Sequence, residues 1–293
     1  MARIRIGLAL GSGVARGWAH LGVLKALDRI GIVPDIVAGS SIGALVGGFY
    51  LAGHAKALED WARHLTTLRL LRYIKLPLGG GMVSGSKLFH EAETYLGDLD
   101  IGDLRAPFVA VATDLWTGHE VWLREGKLTE AMRASLSLPG IFKPQRINGH
   151  WLVDGALVNP VPVSVCRALG AEMVISVNLN ADIMGKLHED DEGDGGETDP
   201  EKNLLSSSLR HFRHGEPSTF NVMVTSLNII QDRIARSRLA GDPPDVTVNP
   251  RIGHIGLLEF HRADELIRAG EAAVQRSMPE INDAIAVFSA LHG

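Results

Sequence analysis

The sequence has a single cysteine, Cys166, among its 293 residues. One cysteine cannot form an intrachain disulfide, and the scarcity of cysteine fits a reducing compartment. Cys166 lies in an apolar run, which favours a buried small side chain over a reactive thiol. We therefore expect a cytoplasmic protein, at most peripheral to the inner face of the membrane.

The chain also lacks an excess of positive charge and a concentration of aromatic residues. Its formal net charge is −5 and aromatic residues make up 5% of the sequence. The overall field therefore does not favour nucleic acid, and the scattered tryptophans form no platform on which bases could stack. We expect no nucleic-acid partner.

A long uninterrupted apolar run is missing as well. Residues 36–53 are uncharged and approach membrane-spanning length, but they contain several glycines and two serines. That mixture is more typical of a buried strand, turn and helix than of a lipid-facing helix. The first residues lead directly into a strand pattern, without the h-region and cleavage site of a secretion signal. We expect neither a transmembrane span nor a signal peptide.

Strand and helix patterns alternate along the chain. Apolar runs predict strands over 3–10, 32–38, 107–113, 120–123, 151–153, 173–177 and 245–248. Helical spacing predicts helices over 18–30, 41–51, 55–65, 86–96, 128–135, 161–169, 220–238 and 262–288. This rhythm indicates an α/β fold with a mostly parallel sheet covered on both faces. One domain over 1–293 is expected, with a flexible acidic loop at about 182–206 that has too few apolar residues to order itself.

The most informative motif is Gly39-Ser40-Ser41-Ile42-Gly43, a G-x-S-x-G pattern between a predicted strand and a predicted helix. A nucleophile elbow has this context, because the serine sits on a tight turn and its hydroxyl projects at the helix N-terminus. The pattern is short and occurs often by chance, so an ordinary glycine-flanked turn is the alternative.

A second motif, Gly11-Ser12-Gly13-Val14-Ala15-Arg16-Gly17, joins the first strand to the first helix. Backbone amides at a helix N-terminus can stabilise negative charge, either an oxyanion of acyl transfer or a pyrophosphate. The glycine spacing differs from G-x-G-x-x-G, and the second strand is not followed by an acidic residue for a ribose. Nucleotide binding is therefore disfavoured.

The third motif is Asp154-Gly155-Ala156, directly after a short predicted strand. Two small residues after an aspartate allow its carboxylate to approach another loop closely. A turn aspartate that accepts hydrogen bonds from its own backbone is the alternative.

In this order, the three motifs resemble those of the patatin-like phospholipases, in particular short bacterial members of the RssA-like type. Further similar segments are Ala112-Thr-Asp-Leu115 and Ser135-Leu-Ser-Leu-Pro139, with Phe142 and Pro144. The resemblance extends from about residue 5 to 180, and more loosely to the C-terminus.

The resemblance implies a three-layer α/β/α sandwich and a serine acyl-ester hydrolase that releases fatty acid from lipid esters. Ser41 would be the nucleophile and Asp154 its only catalytic partner. Amides around Gly13 and Val14 would stabilise the oxyanion, and no metal or cofactor is required. A lipid or acyl-ester substrate, presented at a membrane surface, would be the partner; a homo-oligomer is compatible with the sequence.

One residue departs from the family pattern. Val14 occupies a position where the family usually has glycine, and a β-branched residue does not easily adopt a positive φ. Arg16 occupies the family's basic position, where it would either anchor the loop or meet a phosphate; we favour anchoring.

Other readings of the sequence stay open at this point. His254 or His261 would complete a Ser-His-Asp triad in a permitted chain order. The same site would serve an acyltransferase, or a catalytically weak or inactive regulatory protein. The segment from Asp190 to Glu201 approximates an EF-hand calcium loop, but a solvated acidic loop explains it better because Glu192, Glu197 and Pro200 break the pattern.

Overall fold

The structure, a computed structural model, describes residues 4–65, 94–182 and 219–291. The EF-hand-like segment and all of the acidic stretch beyond Asp182 lie outside these residues. Of the predicted helix 86–96, only residues 94–96 are described, and they are helical.

The described residues form an eight-stranded mixed sheet with the strand order β5-β6-β3-β2-β1-β7-β8, and β4 pairs with β3. The strands are β1 (Ile6–Leu10), β2 (Ile36–Ser40), β3 (Phe108–Asp114), β4 (Glu120–Leu123), β5 (Gln145–Ile147), β6 (His150–Asp154), β7 (Met173–Val177) and β8 (Val246–Val248). Adjacent strands in the series β3-β2-β1-β7-β8 are parallel. β4 and β6 each pair antiparallel with β3, and β5 pairs antiparallel with β6.

Helices cover both faces of the sheet. They are α1 (Trp18–Arg29), α2 (Ile42–Leu51), α3 (Ala55–Arg63), α4 (Leu128–Ser135), α5 (Val163–Ala168), α6 (Thr219–Gly241) and α7 (Ala263–Leu291). The larger apolar core joins α1, α2, α3, α4 and α7 to one face, and a second core joins α5 and α6 to the other. The predicted three-layer α/β/α fold is confirmed, since buried side chains alternate between two helical layers.

The sequence placed the start of one strand wrongly and missed another strand. β2 begins at Ile36 rather than residue 32, and it continues through Gly39 and Ser40 to the serine motif. β5 was missed, because its residues are polar or half-exposed and lack the apolar alternation of a strand. Pairing with β6 across the turn at Asn148 and Gly149 stabilises it instead.

Strand β3 arranges its neighbours in a way that determines the position of the site. β4 pairs along one edge of β3 at residues 110–113. Some of these β3 residues also pair with β2 and others with β6, which is possible only if β2 and β6 both lie on the edge opposite β4. On that edge Ser40 pairs with Val111 and Asp154 with Ala112. β2 runs parallel to β3 and β6 runs antiparallel, and therefore their last residues meet end to end.

Candidate active site

Ser41 lies at the end of β2 and caps the N-terminus of α2. Its backbone has φ 57° and ψ −124°, a conformation that few residues other than glycine adopt. Such strained residues cost about 1–3 kcal/mol and persist only where the surroundings impose them. This geometry is that of a nucleophile elbow, with the hydroxyl presented at the turn between strand and helix.

Gly43 allows α2 to pack directly against the end of β1. A Cβ atom at Gly43 would lie 2.2 Å from the carbonyl oxygen of Leu10 and 2.8 Å from that of Gly11. Any larger residue would therefore push the elbow away from the 11–17 loop. The second glycine of the motif thus keeps the serine turn next to the glycine-rich loop.

Asp154 is the last residue of β6, rather than part of the loop that the sequence suggested, and its carboxylate meets Ser41. The Ser41 hydroxyl donates a hydrogen bond of 2.6 Å to Oδ2, and the Ala156 amide donates one of 2.8 Å to Oδ1. Asp154 is 1% exposed and Ser41 6%. Burial raises the pKa of Asp154 to about 7, although the hydrogen bonds from Ser41 and Ala156 act in the opposite direction.

Gly155 makes the meeting of the two strand ends sterically feasible. A Cβ atom there would lie 2.1 Å from the carbonyl oxygen of Val111 and 3.0 Å from the Ser40 hydroxyl. The chain after Asp154 therefore passes over the junction of β2 and β3 with no room for a side chain. This close approach is the structural reason for a glycine after the aspartate.

The segment at the end of α4 forms hydrogen bonds with the backbone of both Ser41 and Asp154. The Ser135 hydroxyl accepts a hydrogen bond from the Ser41 amide (2.9 Å) and donates one to the carbonyl of Val111 (2.6 Å). The Ser137 carbonyl accepts from the amide of Asp154 at 3.0 Å. Sequence reasoning assigned no role to these serines; their place in the Ser-Leu-Ser-Leu-Pro segment was the only signal.

Replacing Ser135 by alanine should lower kcat/KM for ester hydrolysis by about 10–100-fold. The Ser41 amide would lose its acceptor, and a buried unsatisfied donor costs about 1–3 kcal/mol. The elbow would shift, so the loss should fall mainly on kcat. Ser137→Ala is the matched control, because its buried hydroxyl donates to the carbonyl of Arg133 in the last turn of α4. Equal losses in the two variants would contradict a positioning role for Ser135.

Beside the elbow, two backbone amides of the 11–17 loop have no hydrogen-bond partner among the residues that the structure describes. The amides of Gly11, Ser12, Ala15 and Arg16 all donate hydrogen bonds to carbonyl groups. Within the described parts of the chain, the amides adjacent to them, at 13 and 14, make no such bond. These are the positions that the sequence suggested for stabilising an oxyanion.

Val14 adopts the positive φ that its side chain disfavours, with a value of 52°. The valine packs against an apolar cluster around Leu138, Ile141 and Val224, which offsets part of the backbone strain. Gly13 precedes it with an extended φ of 166°. The loop therefore keeps the geometry of a glycine-rich turn despite the substitution.

Arg16 and His20 hold the loop from the protein interior. The Arg16 guanidinium donates through Nε to the carbonyl of Ile255 at 2.7 Å, which is the anchoring arrangement. His20 Nε2 lies 2.7 Å from the Gly11 carbonyl oxygen. Burial lowers the pKa of Arg16 to about 10 and that of His20 to about 4, so His20 is neutral at physiological pH.

The candidate triad histidines are directed elsewhere. His254 Nε2 lies 2.7 Å from a carboxylate oxygen of Glu265, at the protein surface, and His261 is exposed in a short 3₁₀ turn. In residues 4–65, 94–182 and 219–291, no histidine is hydrogen-bonded to Ser41 or to the carboxylate of Asp154. Among the residues that the structure describes, the hydrogen-bonded pair at this site is therefore Ser41 and Asp154, without a histidine.

A strained serine at a strand-helix turn, in a three-layer α/β/α fold, defines this protein as one of the α/β proteins that carry an elbow serine. The family model of the patatin-like phospholipases matches residues 8–167, more than half of the chain. The chain belongs to the patatin-like phospholipase family.

Similar proteins occur in bacteria and animals. An uncharacterized NTE family protein of Mycobacterium tuberculosis is 30% identical over 99% of this chain and 96% of its own length. Patatin-like phospholipase domain-containing protein 6 of Homo sapiens is 31% identical over 78% of this chain, and neuropathy target esterase sws of Drosophila melanogaster is 33% identical over 78%. The match spans only 16% of each of these two animal proteins.

The fold is also similar to that of VipD from Legionella pneumophila. The TM-score is 0.51 at 13% sequence identity, over 97% of this chain and 68% of the VipD chain. At this identity the likeness concerns the fold alone. Separately, none of the helices in the described residues is long and apolar enough to cross a membrane.

Proposed function

We propose that this protein is a lipid acyl-ester hydrolase of the phospholipase A or lysophospholipase kind, acting through a Ser41-Asp154 dyad. The observation that carries the proposal is the 2.6 Å hydrogen bond from the Ser41 hydroxyl to a buried carboxylate. Membership of the patatin-like phospholipase family supports ester hydrolysis as the general activity. A relative that is named an esterase adds to this support.

In the first half-reaction, Ser41 Oγ attacks the ester carbonyl while Asp154 accepts the hydroxyl proton. A carboxylate with a pKa of about 7 is a stronger base than an ordinary aspartate and is still substantially ionised at neutral pH. The negative charge on the tetrahedral oxygen would be stabilised by the amides of Gly13 and Val14; one such donor is worth about 10²–10³ in rate.

The tetrahedral intermediate then collapses to an acyl-serine. Its carbon-oxygen bond to the alcohol breaks, and Asp154 returns the proton to that departing oxygen. In the second half-reaction Asp154 takes a proton from water, whose oxygen attacks the acyl carbonyl. Release of the fatty acid regenerates the Ser41 hydroxyl, with the same proton returned to Oγ, so no metal or cofactor enters the balance.

An apolar cluster beside the loop supports an acyl group as the substrate's reacting half. Its buried members are Leu138, Ile141 and Val224, and half-buried side chains pack against it, among them Val14, Phe142, Met223, Leu227 and Leu257. Val14 belongs to the loop that would bind the oxyanion, and Leu138 follows the serine whose carbonyl holds Asp154. The cluster therefore adjoins both the 11–17 loop and the segment that holds Asp154, where a fatty acyl chain would find an apolar surface.

The test is lipid hydrolysis by purified protein in EDTA, with phosphatidylcholine, lysophosphatidylcholine, triacylglycerol and an acyl thioester in parallel. Free fatty acid should appear from at least one oxygen ester, with His254→Ala as active as the wild type. Adding an alcohol acceptor separates hydrolysis from acyl transfer, because a transferase would form new ester in place of acid. No product from any of these substrates would overturn the proposal and favour a regulatory protein.

A further inference from the structure

An exposed aromatic surface lies next to the candidate site. We call it the tryptophan rim and define it as residues 115–119, which follow β3, and residues 143–151, which comprise β5 and the start of β6. Leu115, Trp116 and Trp151 are 42%, 77% and 39% exposed. The Leu115 amide donates to the carbonyl of Trp151 at 2.8 Å, so the two segments form one continuous surface.

The charge of the rim is opposite to that of the whole protein. Its two segments contain no aspartate or glutamate, while Lys143, Arg146, His119 and His150 are all exposed. The chain as a whole carries a formal net charge of −5. The Arg146 guanidinium lies 5.8 Å from the ring centre of Trp151, so cationic and aromatic groups are presented side by side.

The two carboxylates that flank residues 115–119 are both occupied within the protein. Glu120 accepts hydrogen bonds from the indole of Trp122 and the amide of Asn159, and it pairs with Arg238 at 3.0 Å. Asp114 is buried and accepts from the amides of Trp116 and Thr117. Glu120 is therefore engaged outside the rim and Asp114 pairs with His150, so the positive charge of the rim is that of Lys143 and Arg146.

The turn that carries Trp116 is held in place before any partner binds. Asp114 Oδ1 accepts from the amides of Trp116 (3.0 Å) and Thr117 (2.9 Å), and Oδ2 lies 2.7 Å from His150 Nδ1. One buried side chain thus ties both segments together. A surface that is already ordered loses little conformational entropy on binding.

We propose that the tryptophan rim binds the surface of an anionic lipid bilayer. Tryptophan prefers the boundary between headgroups and acyl chains, and basic side chains are attracted to anionic headgroups. A second copy of this chain fits less well, since a two-fold contact through this surface would bring two positively charged patches together. The inference rests on the proposed function for its purpose, because it would place a lipid hydrolase at its substrate.

The position of the rim relative to the site supports this orientation. Trp151 lies three residues before Asp154 in β6, which corresponds to about 10 Å along an extended strand. A bilayer in contact with Trp116 and Trp151 would therefore lie at the same end of the sheet as the elbow serine. A lipid ester would have to move only a short distance from the bilayer to reach Ser41.

The test uses the full chain with Ser41→Ala, so that no lipid is consumed and binding is measured apart from activity. Co-sedimentation and tryptophan fluorescence would be measured with vesicles of phosphatidylcholine alone and with phosphatidylserine added. We expect binding to the anionic vesicles, a blue shift of the emission, and weaker binding as salt is raised. Trp116→Ala should lower the partition constant at least tenfold, since it removes a large exposed indole.

Neutralising both basic residues, with Lys143→Gln and Arg146→Gln together, should lower binding to anionic vesicles by about 25-fold, roughly fivefold for each charge. Matched controls are Val33→Ser, a 46% exposed apolar residue before β2 at the opposite end of the sheet, and Arg268→Gln, exposed on α7. Both controls should bind as the parent chain does, and circular dichroism would check that every variant is folded.

Two outcomes would overturn the inference: no binding of the parent chain to anionic vesicles, or equal binding by the rim variants and the controls. Concentration-dependent self-association that Trp116→Ala abolishes, without vesicle binding, would instead assign the rim to a protein interface. With Ser41 restored, rim variants should lose more hydrolysis of vesicle lipid than of a soluble short-chain ester. If the protein bound vesicles but hydrolysed neither substrate, the proposed hydrolase activity would be refuted and membrane binding by the tryptophan rim would stand.

Discussion

Replacing Ser41 by alanine is expected to lower kcat for ester hydrolysis by about 10⁴–10⁶. The substitution removes the oxygen that would form the acyl-enzyme, and comparable deletions in serine hydrolases have effects of this size. The backbone of the elbow would keep its strain, so the fold should be little changed. Hydrolysis by wild type and variant, with active-site labelling by a fluorophosphonate, measures the effect; only the wild type should be labelled.

The two members of the dyad should act as a unit. Asp154→Asn alone is expected to cost about 10⁴ in kcat, because the amide cannot accept the proton of Ser41. The double variant should be no slower than Ser41→Ala, since each substitution already disables the same step. Additive losses would mean that Asp154 and Ser41 contribute to different steps, which their 2.6 Å hydrogen bond makes unexpected.

The second large effect concerns pH, because Asp154 must be ionised to act as a base. Its pKa is raised to about 7 by burial, so kcat/KM should fall about tenfold for each pH unit below that value. A histidine could mimic this profile, but His20 has its pKa lowered to about 4 and stays neutral throughout the range. His254→Ala should leave the profile unchanged. A rate that is constant from pH 5 to 8 would contradict the assignment.

The same raised pKa has a consequence for stability. The folded protein binds the proton of Asp154 more tightly than the unfolded chain does. The contribution of this group to the free energy of unfolding is therefore greatest below about pH 4 and is lost as the pH rises to about 7. Above that pH the ionised, buried carboxylate costs on the order of 4 kcal/mol, at about 1.4 kcal/mol per pH unit.

Asp154→Asn removes this penalty. Its free energy of unfolding, relative to that of the wild type, should therefore increase between pH 4 and pH 7 and remain constant above pH 7. Urea denaturation at several pH values measures the difference, and Asp245→Asn, away from the site, serves as the comparison. A variant less stable than the wild type at pH 8 would show that the hydrogen bonds of the carboxylate outweigh its burial.

Much of the fold could be predicted from the pattern of apolar residues. The bounds of β4, β7 and α4 agree with prediction to the residue, because a short apolar run or helical spacing marks each of them in the sequence. β5 could not be found this way, since long-range pairing rather than its own composition makes it a strand. The helix 86–96 stays a prediction.

The candidate site was likewise predictable from the sequence only in part. Gly43 and Gly155 are recognisable from the motifs, but their reason is a contact with Leu10 and Val111, which only the packed structure contains. The only signal for a positioning role of Ser135 was its place in the Ser-Leu-Ser-Leu-Pro segment, and a serine at the end of a helix has many ordinary uses. His254 could be set apart from Ser41 only when its contact with Glu265 was seen.

The amino-acid sequence by itself determined the order of the strands and helices other than β5 and placed a serine at a strand-helix turn, because local periodicity and turn chemistry depend only on near neighbours. It also supplied an aspartate 113 residues away from that serine. Only the tertiary structure decided that the two meet, since β2 and β6 share one edge of β3 and end at adjacent residues, Ser40 opposite Val111 and Asp154 opposite Ala112. Which strands share an edge is settled by packing over the whole sheet, where hydrogen bonds between distant segments outweigh any local preference.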